Sequence, residues 1–366
     1  LYEHDLLRPL GDANSPRGRT RFTNLAVFID TDEELSGVSM CGAGVANHIH
    51  TLVESLLIGR DPRGVKGLWK KMMDFVFKGG AVGGVGAALA AIDIALWDLK
   101  AKANNEPLWR TLGASTRKVK AYASGIDMPL SNAQLGDFYE NMAAKGISAG
   151  KIKVGLDRDV DMKRIEIMRD SLAKSGKRPV IIIDSNEYWS PKQAIRHVSF
   201  LEEEFDITWV EEPARRWDYK GLRRVSQGVK AAVATGENLD QIGEYMALID
   251  NEAVDIVQIG GGSCGITGAM QIADLAYGFE LPVSMMNCAG NHMAHLAAAL
   301  PNHMMMEVLE AGRDAAFKID NHIKDGCIIL GDSPGLGLSF NEQLMEQYAT
   351  DKPTSSGSTN PFGRRL

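Results

Sequence analysis

Three carboxylates stand at the ends of short apolar runs: Asp184 after VIII, Glu211 after ITWV and Glu237 after AVATG, 27 and 26 residues apart. One strand, one helix and two loops use about that length, so one acid falls in each successive βα unit. Three acids at one rim repel each other strongly unless a cation stands among them. A set of one Asp and two Glu with room for water suits Mg²⁺ better than zinc, which recruits His or Cys more readily. Asp184, Glu211 and Glu237 are therefore the expected metal ligands. Glu212 follows Glu211 directly, and alternation along a strand turns it to the other side. Lys151 and Lys153 lie two apart on the preceding run, so both ammonium groups enter one space. Burying two like charges near a metal lowers the pKa of at least one, which makes a partly neutral lysine a credible general base. A metal and an amine together suit removal of a proton next to a carboxylate. The metal holds the charge that develops while the amine takes the proton.

Such groups need a scaffold that returns one strand end after another to the same rim. After Gly113 the chain reads strand, helix, strand, repeated, with candidate strands at residues 119–124, 151–154, 180–184, 207–211, 232–236, 255–259, 282–286 and 304–308. Amphipathic stretches at 135–145, 160–175, 191–204, 241–251, 266–279 and 292–300 lie between them. Eight parallel strands with helical crossovers predict a (β/α) barrel, in which catalytic groups gather at the C-terminal strand ends. Ahead of it, residues 23–30 and 36–40 read as a small antiparallel unit and residues 47–113 as helices, an α+β arrangement. In that region Ile92, Ala95, Leu96 and Leu99 follow helical spacing. Residues 1–22, polar and rich in Pro, Gly and Arg, read as a mobile loop. GGAVGGVG at residues 79–86 has neither GxxxxGK[ST] nor a preceding apolar strand, and reads as a helix-entry loop rather than a phosphate cradle. Residues 335–366 lose periodicity and are expected to pack back on the first domain before a loose Ser/Thr/Gly/Pro tail. The expected division is 1–115, 116–334 and 335–366.

At 366 residues, 45% hydrophobic and 24% charged, the chain has room for one large barrel, a smaller domain and a substantial core. A net charge of −7 argues against nucleic acid or an anionic membrane as the main partner, while leaving room for a local cationic pocket. Cys41, Cys264, Cys288 and Cys327 form no CxxC pair, so a reducing, cytoplasmic location is expected. Neither a membrane span nor a signal peptide is visible. The chain starts at Leu1 without Met, consistent with a missing extreme N-terminus.

Several segments in order, residues 91–113 (AIDIALWDLKAKANNEPLWRTLG), 151–155 (KIKVG), 183–189 (IDSNEYW), 209–213 (WVEEP), 235–238 (TGEN), 265–267 (GIT) and 295–302 (HLAAALPN), resemble the mandelate racemase subgroup of the enolase superfamily. The resemblance implies a (β/α)₇β-type TIM barrel with an α+β capping domain completed by the C-terminal segment. It implies Mg²⁺ on Asp184, Glu211 and Glu237, with Lys153 as the base, and Lys151 as its tuning neighbour and a contact to the substrate carboxylate. Asn186 matches a position that touches substrate or supports a ligand, and Glu307 a hydrogen-bonding acid near the substrate carboxylate. A small-molecule carboxylate is the expected partner and a homo-oligomer the expected assembly.

Many members of this family place an Asp at the end of the sixth barrel strand and a His at the end of the seventh. Those positions fall here on Ile259 or Gly260 and on Asn287, and no lysine takes their place on the sixth strand. One face thus carries a base and the other does not. Racemisation normally needs a group on each face, whereas β-elimination of water needs one base and help for the departing hydroxide. Dehydration of a sugar acid to a 2-keto-3-deoxy acid is the expected activity. A racemase or epimerase with a different second base and a non-catalytic metal-binding homologue are the alternatives. Asn287 and Tyr188 join Asn186 as expected substrate contacts. His292, His295 and Cys288 read as packing or capping residues, and His4, His48, His50, Arg17, Arg19 and Arg21 as candidates to reach substrate from the first domain.

Overall fold

The computed structural model describes residues 1–351, apart from the side chains of Ser263 and Cys264. It opens with a three-stranded antiparallel sheet, β1 (Tyr2–Leu10), β2 (Arg19–Asp30) and β3 (Ser36–Gly42). Residues 1–22 are thus mostly strand, not loop. Tyr2 pairs with Asn24 and Asp5 with Arg21, and Arg21 reaches Glu3 and Asp5 at 2.9 and 3.2 Å. Charged residues on the solvent face of a sheet hide the apolar alternation that marks a strand.

Helices α1 (Ala46–Leu56), α2 (Val65–Phe75), α3 (Gly83–Ala103) and α4 (Leu108–Thr111) follow. Of the glycine-rich stretch, residues 79–82 lead into α3 as a helix-entry loop does, while Gly83–Gly86 form the helix's first turn. Every residue of α3 from Ala88 to Leu99 is buried, because β3 packs on one side of it and a barrel helix on another. A helix enclosed in this way has no polar face to keep. At Gly37 a Cβ would stand 2.2 Å from the Ala95 carbonyl oxygen, so only glycine lets β3 lie this close.

Eight parallel strands then alternate with seven helices. In chain order they are β4 (Lys118–Ser124), α5 (Asn132–Ala144), β5 (Ala149–Lys153), α6 (Arg158–Ala173), β6 (Val180–Asp184) and α7 (Pro191–Leu201). Next come β7 (Ile207–Glu211), α8 (Tyr219–Gly228), β8 (Ala232–Thr235), α9 (Ile242–Asp250), β9 (Ile256–Ile259), α10 (Gly261–Gly278), β10 (Val283–Met285), α11 (Ala294–Ala299) and β11 (His303–Val308). Pairing of Met306 with Ala121 closes the barrel. This is the expected (β/α)₇β barrel, with α8 as a helix that the periodicity did not reveal. Ser131 and Gln134 form a capping box on α5, and Asp157 accepts from Asp159 N and Val160 N to start α6. Tyr122, Ala149, Ile182, Trp209, Ala234, Ile256 and Met305 fill the barrel interior as one buried cluster.

Past the barrel, β13 (Asn321–Lys324) and β14 (Cys327–Leu330) add an antiparallel hairpin to the outer edge of β4, while β12 (Phe317–Ile319) pairs with β15 (Leu338–Phe340). Helix α12 (Glu342–Tyr348) returns to β1, where Thr350 N donates to the Leu1 carbonyl and the Tyr348 and His4 rings lie 5.4 Å apart. The periodicity of this segment is short but present. The expected loose tail beyond residue 351 lies outside the described residues. Among the described residues no helix is long and apolar enough to cross a membrane.

The first domain is joined to the barrel through buried polar contacts. Asp93 of α3 accepts from Thr267 N at 2.8 Å and Thr267 Oγ1 at 2.6 Å, and Trp97 Nε1 donates to that hydroxyl at 2.9 Å. Burial raises the Asp93 pKa to about 7. Between the ordinary carboxylate range and about pH 7 the unfolded chain is ionised here and the folded chain is not, so rising pH favours unfolding. Asp93→Asn, which keeps an acceptor for Thr267 N and, as the neutral acid can, turns a donor toward the hydroxyl, therefore flattens the decline in stability between pH 5 and pH 8. Urea melts at both pH values check this; a variant with the wild-type slope would show that Asp93 is already ionised in the folded protein.

Candidate active site

Register brings the chemistry together. Lys153 pairs with Asp184 and Asp184 with Glu211, forming one row across β5, β6 and β7 at the C-terminal rim. Ile182 and Trp209, two residues earlier, belong to the interior cluster, so alternation turns Asp184 and Glu211 inward as well. Glu307 follows interior Met305 by two residues on β11, so it points inward too.

The two lysines have unequal surroundings. Lys151 Nζ touches Glu211 Oε1 and lies 3.2 Å from Asp184 Oδ2 and 3.0 Å from Glu307 Oε1. Lys153 Nζ donates to Asp184 Oδ2 at 2.5 Å and has no other ion pair among the described residues. Burial by itself would lower both lysine pKa values. The carboxylates outweigh it, and both are raised above the ordinary lysine value. The expectation of a partly neutral lysine is thereby corrected for the protein without a bound cation: the two ammonium groups share a space with more carboxylates than with each other. Burial pushes Glu307 up, but Lys151 and Lys153 pull it down to about 2. Burial and repulsion from neighbouring acids hold Glu211 and Glu212 well above the usual carboxylate range, and Glu237 is raised too despite the pull of the lysines.

Glu212 does not turn away as strand alternation predicts. The strand ends at Glu211, Glu212 adopts φ 44°, and its buried carboxylate accepts from Asn238 Nδ2 at 2.7 Å and Asn186 Nδ2 at 3.5 Å. Asn186 and Glu187 are also left-handed, with φ 47° and 57°. Such backbone is costly and collects at sites that need a side chain re-aimed. Asn186 Nδ2 and Asn238 Nδ2 each lie 3.3 Å from Glu237 Oε1, which makes Asn238 of the TGEN segment a neighbour that spacing alone missed. Gly236, at φ 130°, carries the chain into Glu237; a Cβ there would meet the Gln258 carbonyl oxygen at 2.4 Å.

Asn287 N and Nδ2 donate to Glu307 Oε2 at 3.1 and 2.5 Å, so the residue at the seventh strand joins the site through Glu307. Tyr188 stands apart: its ring lies beside Gly155 and packs, half-buried, against the main hydrophobic core. Asn14 Nδ2 donates to the Asn186 carbonyl at 2.8 Å, fastening the loop between β1 and β2 over the rim. His295 accepts from Trp109 N at 3.1 Å as a packing residue, and His4 stacks among Tyr2, Phe22 and Tyr348. His50 pairs with Glu54 on the surface. His292 is more than packing, since it pairs with Cys288, raising its own pKa and lowering that of the thiol against the opposing effects of burial.

Among the described residues no three His, Cys, Asp or Glu side chains form a ready-made metal cage, because ammonium groups stand between the carboxylates. The donor set nevertheless suits a hard divalent cation. Asp184, Glu211, Glu212 and Glu307 are buried acids, Glu237 is half-buried, and among the described residues the ammonium groups of Lys151 and Lys153 oppose them. Asn186 Oδ1 adds a buried oxygen with no hydrogen-bond partner among the described residues.

Residues 9–113 match the family described as the N-terminal domain of mandelate racemase / muconate lactonizing enzyme, and residues 134–344 match the enolase C-terminal domain-like family. The chain belongs to the mandelate racemase / muconate lactonizing enzyme family of the enolase superfamily. Within this family it is 31% identical over 360 residues to the L-talarate/galactarate dehydratase of Salmonella typhimurium, covering 92% of this chain and 86% of that one. It is 30% identical over 316 residues to the 3,6-anhydro-alpha-L-galactonate cycloisomerase of Streptomyces coelicolor, covering 84% of each. A solved racemase from Streptomyces coelicolor A3(2) with bound magnesium superposes with a TM-score of 0.87 at 26% identity, over 95% of this chain and 98% of that one. Relatives in the mandelate racemase / muconate lactonizing enzyme family are thus dehydratases, cycloisomerases and epimerases.

Proposed function

We propose that this enzyme uses Mg²⁺ to remove the proton α to a carboxylate and dehydrates a sugar acid to a 2-keto-3-deoxy acid. The observation that supports this best is the row of Lys153, Asp184 and Glu211 in register at the rim, with Lys151 and Glu307 packed behind it. Asp184, Glu211 and Glu237 would hold the cation, and Glu212, Asn186 and Asn238 would orient them. Mg²⁺ bound there supplies positive charge that neutralises these acids, eases the lysine toward its neutral form and stabilises the charge developing on the substrate carboxylate. Lys153 takes the α-proton, Lys151 faces the substrate carboxylate as a fixed positive charge, and the ionised Glu307, held by Asn287, anchors Lys151 in that position.

Dehydration is favoured over racemisation by Asn287. Its amide is committed to Glu307 and has no proton-accepting nitrogen, so it cannot serve as a second base. Incubation with Mg²⁺ and a panel of acid sugars, scored for keto-acid formation, tests the reading. Exchange of the α-hydrogen in D₂O with no loss of water from any acid would replace it with an epimerase, and neither reaction with any acid would leave a binding protein.

A further inference from the structure

A second polar region lies on the same rim. The loops after β10 and β11, together with β12 and β13, line a cavity of about 280 Å³ whose wall includes Cys288, Asn291, Arg313, Lys318, Asn321 and His322. Of the two acids on its wall, Glu310 is engaged by Lys145 and Asp314 is exposed. Arg313 is half-buried and has no ion pair or hydrogen bond among the described residues; its electrostatic neighbours are Cys288, Glu307, Arg19 and Asp314. Arg19, brought in by β2, has none either, and the two guanidinium groups flank one ring, each 5.8 Å from the Phe22 centroid. Like charges gathered without a bridging carboxylate repel each other, and an anion between them relieves the repulsion.

We propose that this cavity receives the second carboxylate of a diacid sugar, with Arg313 as its recognition residue and Arg19 beside it. The assignment rests on the sugar-acid reading above and narrows it from sugar acids in general to diacids. The first carboxylate belongs at the Lys151 and Glu307 end of the rim. Cys288 on the cavity wall directly follows Asn287, whose amide holds Glu307, so the cavity adjoins that end of the rim and an extended sugar chain would run from one to the other. A planar guanidinium matches a carboxylate with two parallel hydrogen bonds, and Asn291 on the cavity wall would meet the chain's last hydroxyl groups.

The test compares matched six-carbon acid sugars, each as the diacid and as the monoacid of the same configuration, with the full chain and Mg²⁺. Two readouts are taken: kcat/KM, and binding by equilibrium dialysis. The wild type prefers diacids in both. Arg313→Gln lowers the diacid-to-monoacid ratio about 10- to 100-fold, the worth of a charge-assisted contact. Arg313→Lys recovers part of it, because it keeps the charge and loses the fork. Equal preference in the wild type, or a ratio unmoved in Arg313→Gln, overturns the assignment. If no acid is turned over, the dehydratase reading fails while the binding ratios still decide the fate of the cavity.

Discussion

Lys153→Ala lowers exchange of the substrate α-proton in D₂O by about 10²–10⁴-fold, the range that a positioned general base contributes. The structure separates the two lysines on this point. Lys151 is enclosed by Glu211, Asp184 and Glu307 and its side chain is 1% exposed, whereas Lys153 touches Asp184 alone and is 5% exposed. An ammonium held by three carboxylates gives up its proton with difficulty. One held by a single carboxylate is released once that carboxylate turns to a cation. The variant keeps Asp184, Glu211 and Glu237, so Mg²⁺ binding measured by calorimetry persists and, with one positive charge removed, tightens. Exchange that continued in Lys153→Ala and stopped in Lys151→Ala would reverse the two roles.

The parts of this site legible in the sequence are those that depend on local period. Asp184, Glu211 and Glu237 end apolar runs at constant intervals, and each run became a barrel strand because β-structure buried on both sides requires such runs. Lys151 and Lys153 share a side because strands alternate. Glu212 escaped for the converse reason: alternation holds only while the strand lasts, and the left-handed turn at Glu212 lies just beyond its end. β1 was hidden because its stability comes from a partner strand and from cross-strand charges such as Arg21 with Glu3, which no local pattern reports. The charge on the lysine pair is hidden from the sequence for a similar reason. Spacing shows that two ammonium groups meet, but only the closed barrel brings Glu307, from more than 150 residues away in sequence, into contact with Lys151. Arg313 stands in a loop with no periodicity at all, and only the fold places it beside Arg19.

Lys151→Met lowers the stability of the metal-free protein at neutral pH by about 3–5 kcal/mol, as expected when one partner of a buried ion cluster is removed. The side chain is fully enclosed, so water cannot replace the lost ammonium, and Asp184, Glu211 and Glu307 are left facing each other with Lys153 as the remaining cation. Methionine fills similar volume, which keeps the loss electrostatic rather than one of packing. Divalent cation then stabilises the variant more than the wild type, because it enters a site with one positive charge fewer. At a hundredfold excess over its dissociation constant, cation binding restores about 2.7 kcal/mol. Urea melts of both proteins, with and without Mg²⁺, check this directly. A variant that melts like the wild type in the absence of cation would mean that these acids are protonated in the folded protein. The ionic row would then form only when the cation arrives, and Lys151 would serve the substrate carboxylate rather than the stability of the fold.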